Sequence, residues 1–400
     1  MPWKETTMLD DRVMFISDYL TQDYTVADLC RIYQISRKTA YKFISRYDEF
    51  GPEGLHDLAR APRSHPNETT EQMQDLIVNL RTQHPTWGPR KLRAVLGRDL
   101  HDIGPPAAST IGAILLRNGL TTPARRRTNQ RATPSLALST PDAPNHVWCA
   151  DFKGHFTLAN GQRCYPFTLT DAYSRLLIRC QALAQPDTDS TKPLWVAAFR
   201  EYGLPDVIRT DNGAPFATTG LGGLSLLSIW WIKLGIRPER IKPGKPQQNG
   251  QHERMHRTLK AEATKPPQAN LRSQQKVFDR FRHEYNNLRP HEALDQETPA
   301  SVYVHSPRQY PLRLPEVEYP SGTLVRRVHH NGCLRRKGDE IFVSQTLAGE
   351  PVGLRQLDEH HWALYFGPLP LALLDARHGT LVRSEAAADT LQQLLKEDQD

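Results

Sequence analysis

The chain of 400 residues has 51 Lys and Arg against 44 Asp and Glu, so its net charge of +7 is small for its length. Its 38% of apolar residues excludes compositional disorder, and its five scattered cysteines form no CxxC pair, which argues against a disulfide framework and a structural zinc site. We therefore expect roughly two to four domains in a reducing cytosol, with a polyanionic partner only where cations cluster.

Residues 8–60 show the pattern of three short helices. Thr25 and Ser36 have the side chains that start the second and third of these helices. Three-residue steps predict an apolar side on the third helix and leave four cations for its surface. The apolar residues are Tyr41, Ile44 and Tyr47, and the cations are Arg37, Lys38, Lys42 and Arg46. A basic helix after a tight turn indicates a DNA-binding helix-turn-helix domain over 1–62, although an ordinary three-helix bundle with a charged face has the same pattern.

A similar unit is predicted over 63–122. Helices are expected over 70–83, 84–96 and 106–120, and the second of them exposes Arg90, Lys91 and Arg93. Tandem helix-turn-helix units would lengthen the DNA site that is read and multiply the affinity.

The linker over 123–145 is rich in proline and contains Arg125, Arg126 and Arg127. It either lies along DNA phosphates or serves as a solvated spacer.

From residue 146 the pattern changes to α/β. Three antiparallel strands are expected first, beginning with HVWCADF, and alternating helices and strands follow. The most apolar run, 221–236, contains Lys233 and is shorter than the ~20 residues that a bilayer requires, so we expect a buried helix and no membrane partner. A small β-rich, barrel-like domain is predicted over 306–382, and a helical tail over 383–400.

Three carboxylates have settings that suit metal chemistry. Asp151 lies within the first apolar strand, Asp211 ends a later strand, and Glu253 is the lone acid of a cationic helix. If they converge, their hard oxygen atoms favour two Mg²⁺ or Mn²⁺ ions. The cationic helix would face DNA through Asn249, His256, Arg257 and Lys260.

Each acid also has an ordinary structural alternative. Asp211 suits a turn, Glu253 suits an ion pair with Arg257 four residues on, and Asp151 suits a contact with Lys153. The three acids together, in this order, favour the metal site over these separate alternatives.

The segments WCADF, RTDNGAPF and PQQNGQHERMHRTLK resemble the three catalytic blocks of the retroviral-integrase-type DDE transposases of bacterial insertion sequences. The later segment YNNLRPHEALDQETPASVY is similar to the one that follows the catalytic Glu in that family. The resemblance implies an RNase H-like core over 146–305, with a mixed five-stranded sheet, flanking helices, and Asp151, Asp211 and Glu253 as a metal-binding catalytic triad. The 41 residues between Asp211 and Glu253 exceed the spacing in the commonest members.

By this resemblance the chain is expected to bind the terminal inverted repeats of its element and to catalyse metal-dependent cleavage at DNA 3′ ends, followed by strand transfer. A homo-multimer on double-stranded DNA, in the cytoplasm and at the nucleoid, is implied. Two alternatives stay open, namely a DNA-binding regulator whose core is catalytically silent and a metal-dependent nuclease without strand transfer.

Overall fold

The computed structural model describes residues 7–58, 68–99, 104–121, 138–242, 246–336 and 339–382, together with positions 387, 390 and 393. The chain forms two compact units, Met1–Thr70 and Glu71–Asp400. Arg125, Arg126 and Arg127 of the predicted linker lie outside the described residues, as does most of the predicted tail. The boundary between the units falls where the first helix of the second predicted domain begins.

The described part of the first unit contains the predicted three helices, α1 (Met8–Thr21), α2 (Val26–Ile32) and α3 (Arg37–Phe50), followed by a 3-10 turn. Thr25 Oγ1 accepts a hydrogen bond from the backbone N–H of Asp28, and Ser36 Oγ accepts one from that of Thr39, so both predicted caps are confirmed. The three helices and the 3-10 turn share one apolar core, made of Phe15, Ile16, Leu29, Ala40, Phe43, Ile44 and Leu55.

The second unit begins with α4 (Glu71–Gln83), α5 (Pro89–Asp99) and α6 (Ala108–Arg117), which confirms the second helical trio. Pro89 is the first residue of α5, where its missing N–H has no helical partner to lose. The three helices pack on a core of their own, formed by Ile77, Trp87, Leu92, Leu96, Ile111, Ile114 and Leu115.

A mixed sheet forms the centre of the second unit. Its strands are β1 (Val147–Phe152), β2 (Phe156–Thr157), β3 (Arg163–Asp171), β4 (Leu177–Leu183), β5 (Val207–Thr210) and β6 (Arg237–Arg240). β3 pairs antiparallel with β1 and β4, whereas β5 pairs parallel with β1 and β6. Five strands follow the order β4-β3-β1-β5-β6, which is the predicted mixed sheet, and the two-residue β2 adds a sixth strand at the start of β3.

Helices cover both faces of this sheet. On one face, α7 (Thr188–Tyr202) and α8 (Leu226–Lys233) share a core with Trp148, Phe167 and Ile178. On the other face, α9 (Gly250–Ala263) and α10 (Leu271–Asn287) pack on Leu177 and Cys180, and α11 (Pro299–Val302) follows. Neighbouring side chains of β4 alternate between the two cores, as a strand requires. α8 is the predicted buried helix, and no helix in the described ranges is long and apolar enough to cross a membrane.

The predicted C-terminal β-barrel is wrong, because the sheet there is open. The strands of this region are β7 (Leu324–Arg327), β8 (Cys333–Arg336), β9 (Asp339–Phe342), β10 (Pro351–Gln356), β11 (His361–Phe366), β12 (Leu369–Asp375) and β13 (Thr380–Val382). Five strands follow the order β13-β12-β11-β10-β7, while β8 and β9 form a separate hairpin. Ile229 and Ile232 of α8 pack on Leu354 and Phe366 of the sheet. A helix therefore covers the apolar face that closure into a barrel would otherwise bury.

Candidate active site

Two of the three candidate carboxylates belong to neighbouring strands. β1 and β5 run parallel with Cys149 opposite Arg209, so Asp151 lies two residues further along β1 and Asp211 comes directly after β5. The carboxyl ends of adjacent parallel strands meet at one edge of a sheet, where open α/β proteins bind ligands. The pairing of β1 with β5 thus brings Asp151 and Asp211 to the same edge.

Glu253 lies in the first turn of α9, and its side chain is exposed. The pKa of Asp151 rises to about 7, first because its carboxyl group is buried, and further because the charges of Asp211 and Glu253 oppose its ionisation. The charges of Asp211 and Glu253 therefore both act on the carboxyl group of Asp151. Such a cluster is a setting in which a bound cation would be strongly favoured.

The turn after β5 is built to present Asp211. The backbone N–H of Gly213 donates to Asp211 Oδ1 at 3.1 Å, and Asn212 Nδ2 donates to the carbonyl of Ile241 at 2.7 Å. A Cβ atom at position 213 would lie 3.2 Å from Asp211 Oδ2, which is closer than side-chain carbons normally approach. Glycine there lets the backbone fold close to the carboxylate.

A buried network of hydroxyl and imidazole groups lies beside Asp151. Thr168, which is opposite Asp151 in the sheet, donates from Oγ1 to the carbonyl of Asp151 at 3.1 Å. The same Oγ1 is 2.8 Å from His252 Nε2 and 2.7 Å from His256 Nε2. Thr170 Oγ1 is 2.9 Å from His252 Nδ1, and all four polar side chains of the network are buried.

These contacts determine which ring nitrogens of His252 and His256 carry a proton. A hydroxyl group has one proton and accepts two, so once Thr168 donates to the carbonyl of Asp151, both histidines donate to it from Nε2. His252 Nδ1 then accepts from Thr170, while His256 Nδ1 keeps a lone pair 3.7 Å from Asp151 Oδ2. Burial lowers the pKa of His252 to about 3 and that of His256 to about 2, so both rings are neutral at physiological pH.

The donor atoms at this edge fit a hard divalent cation. Within the described ranges, Asp151, His252 and His256 form the group of three possible ligands whose donor atoms all lie within 4.8 Å of one another. Both ring nitrogens of His252 are already hydrogen-bonded to threonines, so His252 is not free to coordinate. Asp211 and Glu253 lie outside this tight group, but they add carboxylate oxygens, which Mg²⁺ and Mn²⁺ prefer to imidazole.

The structure divides the four residues in and directly before α9 that were predicted to face DNA. Arg257 and Lys260 are exposed, whereas Asn249 and His256 are buried. The helical spacing contained a sign of this, because His252 and His256 are four residues apart and share a face with the buried Leu259. The His256 side chain therefore belongs to the network beside Asp151 and does not lie on the outer surface of the helix.

The predicted DNA contacts of the helical domains also lie in different settings. Arg37, Lys38 and Lys42 are exposed on α3, as is Arg93 on α5. Arg46 is half-buried and donates to the carbonyl of His56, so it supports the fold of its own unit. Arg90 forms an ion pair with Glu292, and the side chain of Lys91 is half-buried.

Asp171 is a further buried acid, and its hydrogen bonds give it a structural role. Its carboxylate is fully buried and accepts hydrogen bonds at 2.7 Å from the backbone N–H of Asn145, the backbone N–H of Ser174 and the hydroxyl of Ser174. These bonds hold the turn between β3 and β4 and tie it to the residues before β1.

Comparison with known proteins decides the family. The integrase core domain family matches residues 141–246 and, in a second form, residues 234–299. A helix-turn-helix family matches residues 14–63, and a homeodomain-like family matches residues 39–115. An uncharacterized 31.7 kDa protein of insertion element IS407 from Burkholderia multivorans is 27% identical over 242 residues, which are 59% of this chain and 82% of that protein. The chain belongs to the insertion-sequence transposases with an integrase-type core.

The transposase is also similar to an uncharacterized 39.2 kDa protein of insertion element IS476 from Xanthomonas euvesicatoria, with 24% identity over 236 residues, or 59% of the chain and 65% of that protein. Among solved structures, the HTLV-2 integrase catalytic core domain in complex with magnesium is 17% identical and covers 41% of the transposase and 99% of its own chain, with a TM-score of 0.33. A simian T-cell lymphotropic virus intasome chain is 18% identical over 72% of the transposase and 91% of its own chain, with a TM-score of 0.35.

Proposed function

We propose that the transposase is a DDE enzyme in which Asp151, Asp211 and Glu253 hold two Mg²⁺ or Mn²⁺ ions. It binds the terminal inverted repeats of its element, cleaves DNA 3′ ends and transfers them to target DNA. The observation that carries this proposal is the meeting of Asp151 and Asp211 at one edge of the sheet, with the charge of Glu253 acting on the same carboxyl group. A buried carboxyl group that is also repelled by two other acids is unfavourable in its charged form unless a cation compensates that charge.

The bound ions would neutralise the charge that develops on the phosphate and activate water or a 3′-hydroxyl group. The residues of the chain do the positioning. Gly213 and Asn212 hold the turn that aims Asp211, and Thr168 fixes the backbone of Asp151 through its carbonyl. A site that is arranged in advance does not reorganise during the reaction, and this lowers the barrier to phosphoryl transfer.

The exposed cations support binding to double-stranded DNA. Arg257 and Lys260 follow Glu253 by four and seven residues, so all three lie on one side of α9. They would hold phosphates beside the carboxylates, while Arg37, Lys38 and Lys42 of α3 serve the first helix-turn-helix domain. A homo-multimer on DNA would bring two element ends together for joining.

The test uses duplexes made from the DNA that flanks the coding sequence. The wild-type transposase should bind them, nick them to leave a 3′-hydroxyl, and join pre-cleaved ends to a plasmid in Mg²⁺ or Mn²⁺. Asp151→Asn should bind the duplexes with nearly the same affinity and lose both reactions. Asp189→Asn, which changes an exposed acid in the first turn of α7, is the matched control and should keep both reactions.

Three results would contradict the proposal. Unchanged cleavage by Asp151→Asn would refute the assignment of the carboxylates. Cleavage by the wild type without any joined product would indicate a nuclease. Binding without cleavage would indicate a DNA-binding regulator.

A further inference from the structure

A basic cavity lies between α5 and the catalytic part of the second unit. It has a volume of about 530 Å³, within the range of roughly 300–1,000 Å³ that is common for ligand sites. Its cations come from four separate parts of the chain: Lys91 of α5, Arg175 between β3 and β4, Arg254 and Arg257 of α9, and Arg289 after α10. The acid among the lining residues is Glu292, and its carboxylate is ion-paired with Arg90.

Polar contacts hold α5 and the residues before it on the core around this cavity. Arg98 donates to the carbonyl of Gln296 at 2.6 Å, and the hydroxyl of Thr86 donates to Glu262. Arg289 donates to the same Glu262 carboxylate at 2.5 Å. Glu262 therefore compensates the charge of Arg289, and the other cations of the cavity remain in excess.

Lys91 and Arg175 show that this excess charge is poorly compensated. Among the described residues, Lys91 has no ion-pair partner, and the guanidinium of Arg175 donates to the backbone carbonyl of Ala172. Burial, and then the nearby Arg289, lower the pKa of Lys91 to about 8, although Glu262 and Glu292 act in the opposite direction. Burial also lowers the pKa of Arg175.

The lining of the cavity also includes a histidine. His291 Nε2 is buried without a hydrogen bond, and His291 is one of the lining residues. Burial, followed by the charges of Lys91 and Arg289, lowers the pKa of this ring to about 3, so it is neutral. Because the neutral ring adds no charge, the uncompensated cations are the groups that oxygen atoms of an anion would satisfy.

We propose that this cavity binds a backbone phosphate of duplex DNA, clamped between Lys91 of the second helical domain and Arg175 and Arg254 of the core. The inference rests on the proposed function only in that the transposase acts on DNA. α5 belongs to a DNA-binding type of domain, and Arg254 directly follows Glu253. A strand held here would therefore run from the second helical domain towards the candidate carboxylates, which favours DNA over a free anion.

The experiment measures the binding of a labelled duplex of arbitrary sequence to the full chain by fluorescence anisotropy over a range of salt concentrations. EDTA is present, so the result does not depend on metal chemistry. Loss of one phosphate contact should reduce the slope of log affinity against log salt by about 0.9. Lys91→Gln should show this reduction, whereas Lys91→Arg should keep the wild-type slope.

Lys192→Gln is the matched control, because Lys192 is exposed on α7, which covers the opposite face of the sheet from α9. It should leave the slope unchanged. Arg175→Asn tests the cavity without relying on Lys91. Arg175 has φ of 66°, a conformation that Asn adopts readily, so this variant should fold and should also lose about 0.9 from the slope.

Equal slopes for Lys91→Gln, Arg175→Asn and Lys192→Gln would overturn the inference and leave the proposed catalysis untouched. If inorganic phosphate binds in the cavity while duplex affinity is the same in all variants, the inference is overturned as well. If the wild-type chain fails to bind duplex DNA, the inference and the proposed function both fail.

Discussion

Replacing Asp151 by Asn should stabilise the metal-free transposase, even though it removes a candidate catalytic residue. The folded chain raises the pKa of this carboxyl group from 3.8 to about 7. A raised pKa means that the folded chain keeps a proton that the unfolded chain has already released. The free energy of unfolding therefore falls as the pH rises from about 4 through about 7, and an amide, which does not ionise, avoids this loss.

The size of the effect follows from the two pKa values. Each unit of pKa difference corresponds to about 1.4 kcal/mol, so the gain should be about 1.5 kcal/mol at pH 5 and should approach about 4 kcal/mol at pH 8. The Nδ2 group of the new Asn could also donate to His256 Nδ1, which has a lone pair 3.7 Å from the present carboxylate oxygen.

Urea unfolding in EDTA at pH 5 and pH 8 measures both values. Asp189→Asn, at an exposed site, should change the free energy of unfolding by less than about 0.5 kcal/mol at either pH. Added Mg²⁺ should then stabilise the wild type and leave Asp151→Asn unaffected, because a ligand stabilises only a state that binds it. A variant that is no more stable than the wild type at pH 8, or a gain that is the same at both pH values, would refute this account of Asp151.

Three other predictions concern polar groups that are buried or half-buried. Thr168→Val keeps the shape of the side chain but leaves two buried histidine donors without an acceptor, and should lower the free energy of unfolding by about 2–5 kcal/mol; a loss below about 1 kcal/mol would show that the network is absent. Glu239→Gln should destabilise by about 3 kcal/mol, since Arg209 would stay buried without its carboxylate. Glu340→Gln, in an exposed ion pair, should destabilise by less than about 1 kcal/mol, and equal losses in urea unfolding would contradict this contrast. Affinity for duplex DNA should fall as the pH passes through about 8 and Lys91 loses its charge, and Lys91→Arg should remove that fall in an anisotropy titration, whereas an unchanged pH profile would count against a phosphate contact by Lys91.

Features that depend on near neighbours in the chain could be predicted from the sequence. The caps at Thr25 and Ser36 were readable because a capping side chain bonds to a backbone group three residues away. The two helical trios, the strands of the core and the local settings of Asp151, Asp211 and Glu253 could be predicted on the same basis. Even here a three-residue step misplaced Tyr41, which is 59% exposed, while Phe43 fills the core. A helix turns by about 100° per residue, so steps of three drift away from one face.

The partners of each element were decided by the tertiary structure alone. The sequence predicted a small β-rich domain over 306–382, but the open sheet and the packing of α8 against it are seen only in the tertiary structure. His256 looked like a surface residue of a cationic helix, because nothing within a few positions of it offers a buried hydrogen bond. Its partner, Thr168, is 88 positions away along the chain, and only the folding of α9 onto β3 brings the hydroxyl within 2.7 Å of its ring. A polar side chain is stable inside a protein when its hydrogen bonds are made there, and that condition is met in space and not along the sequence.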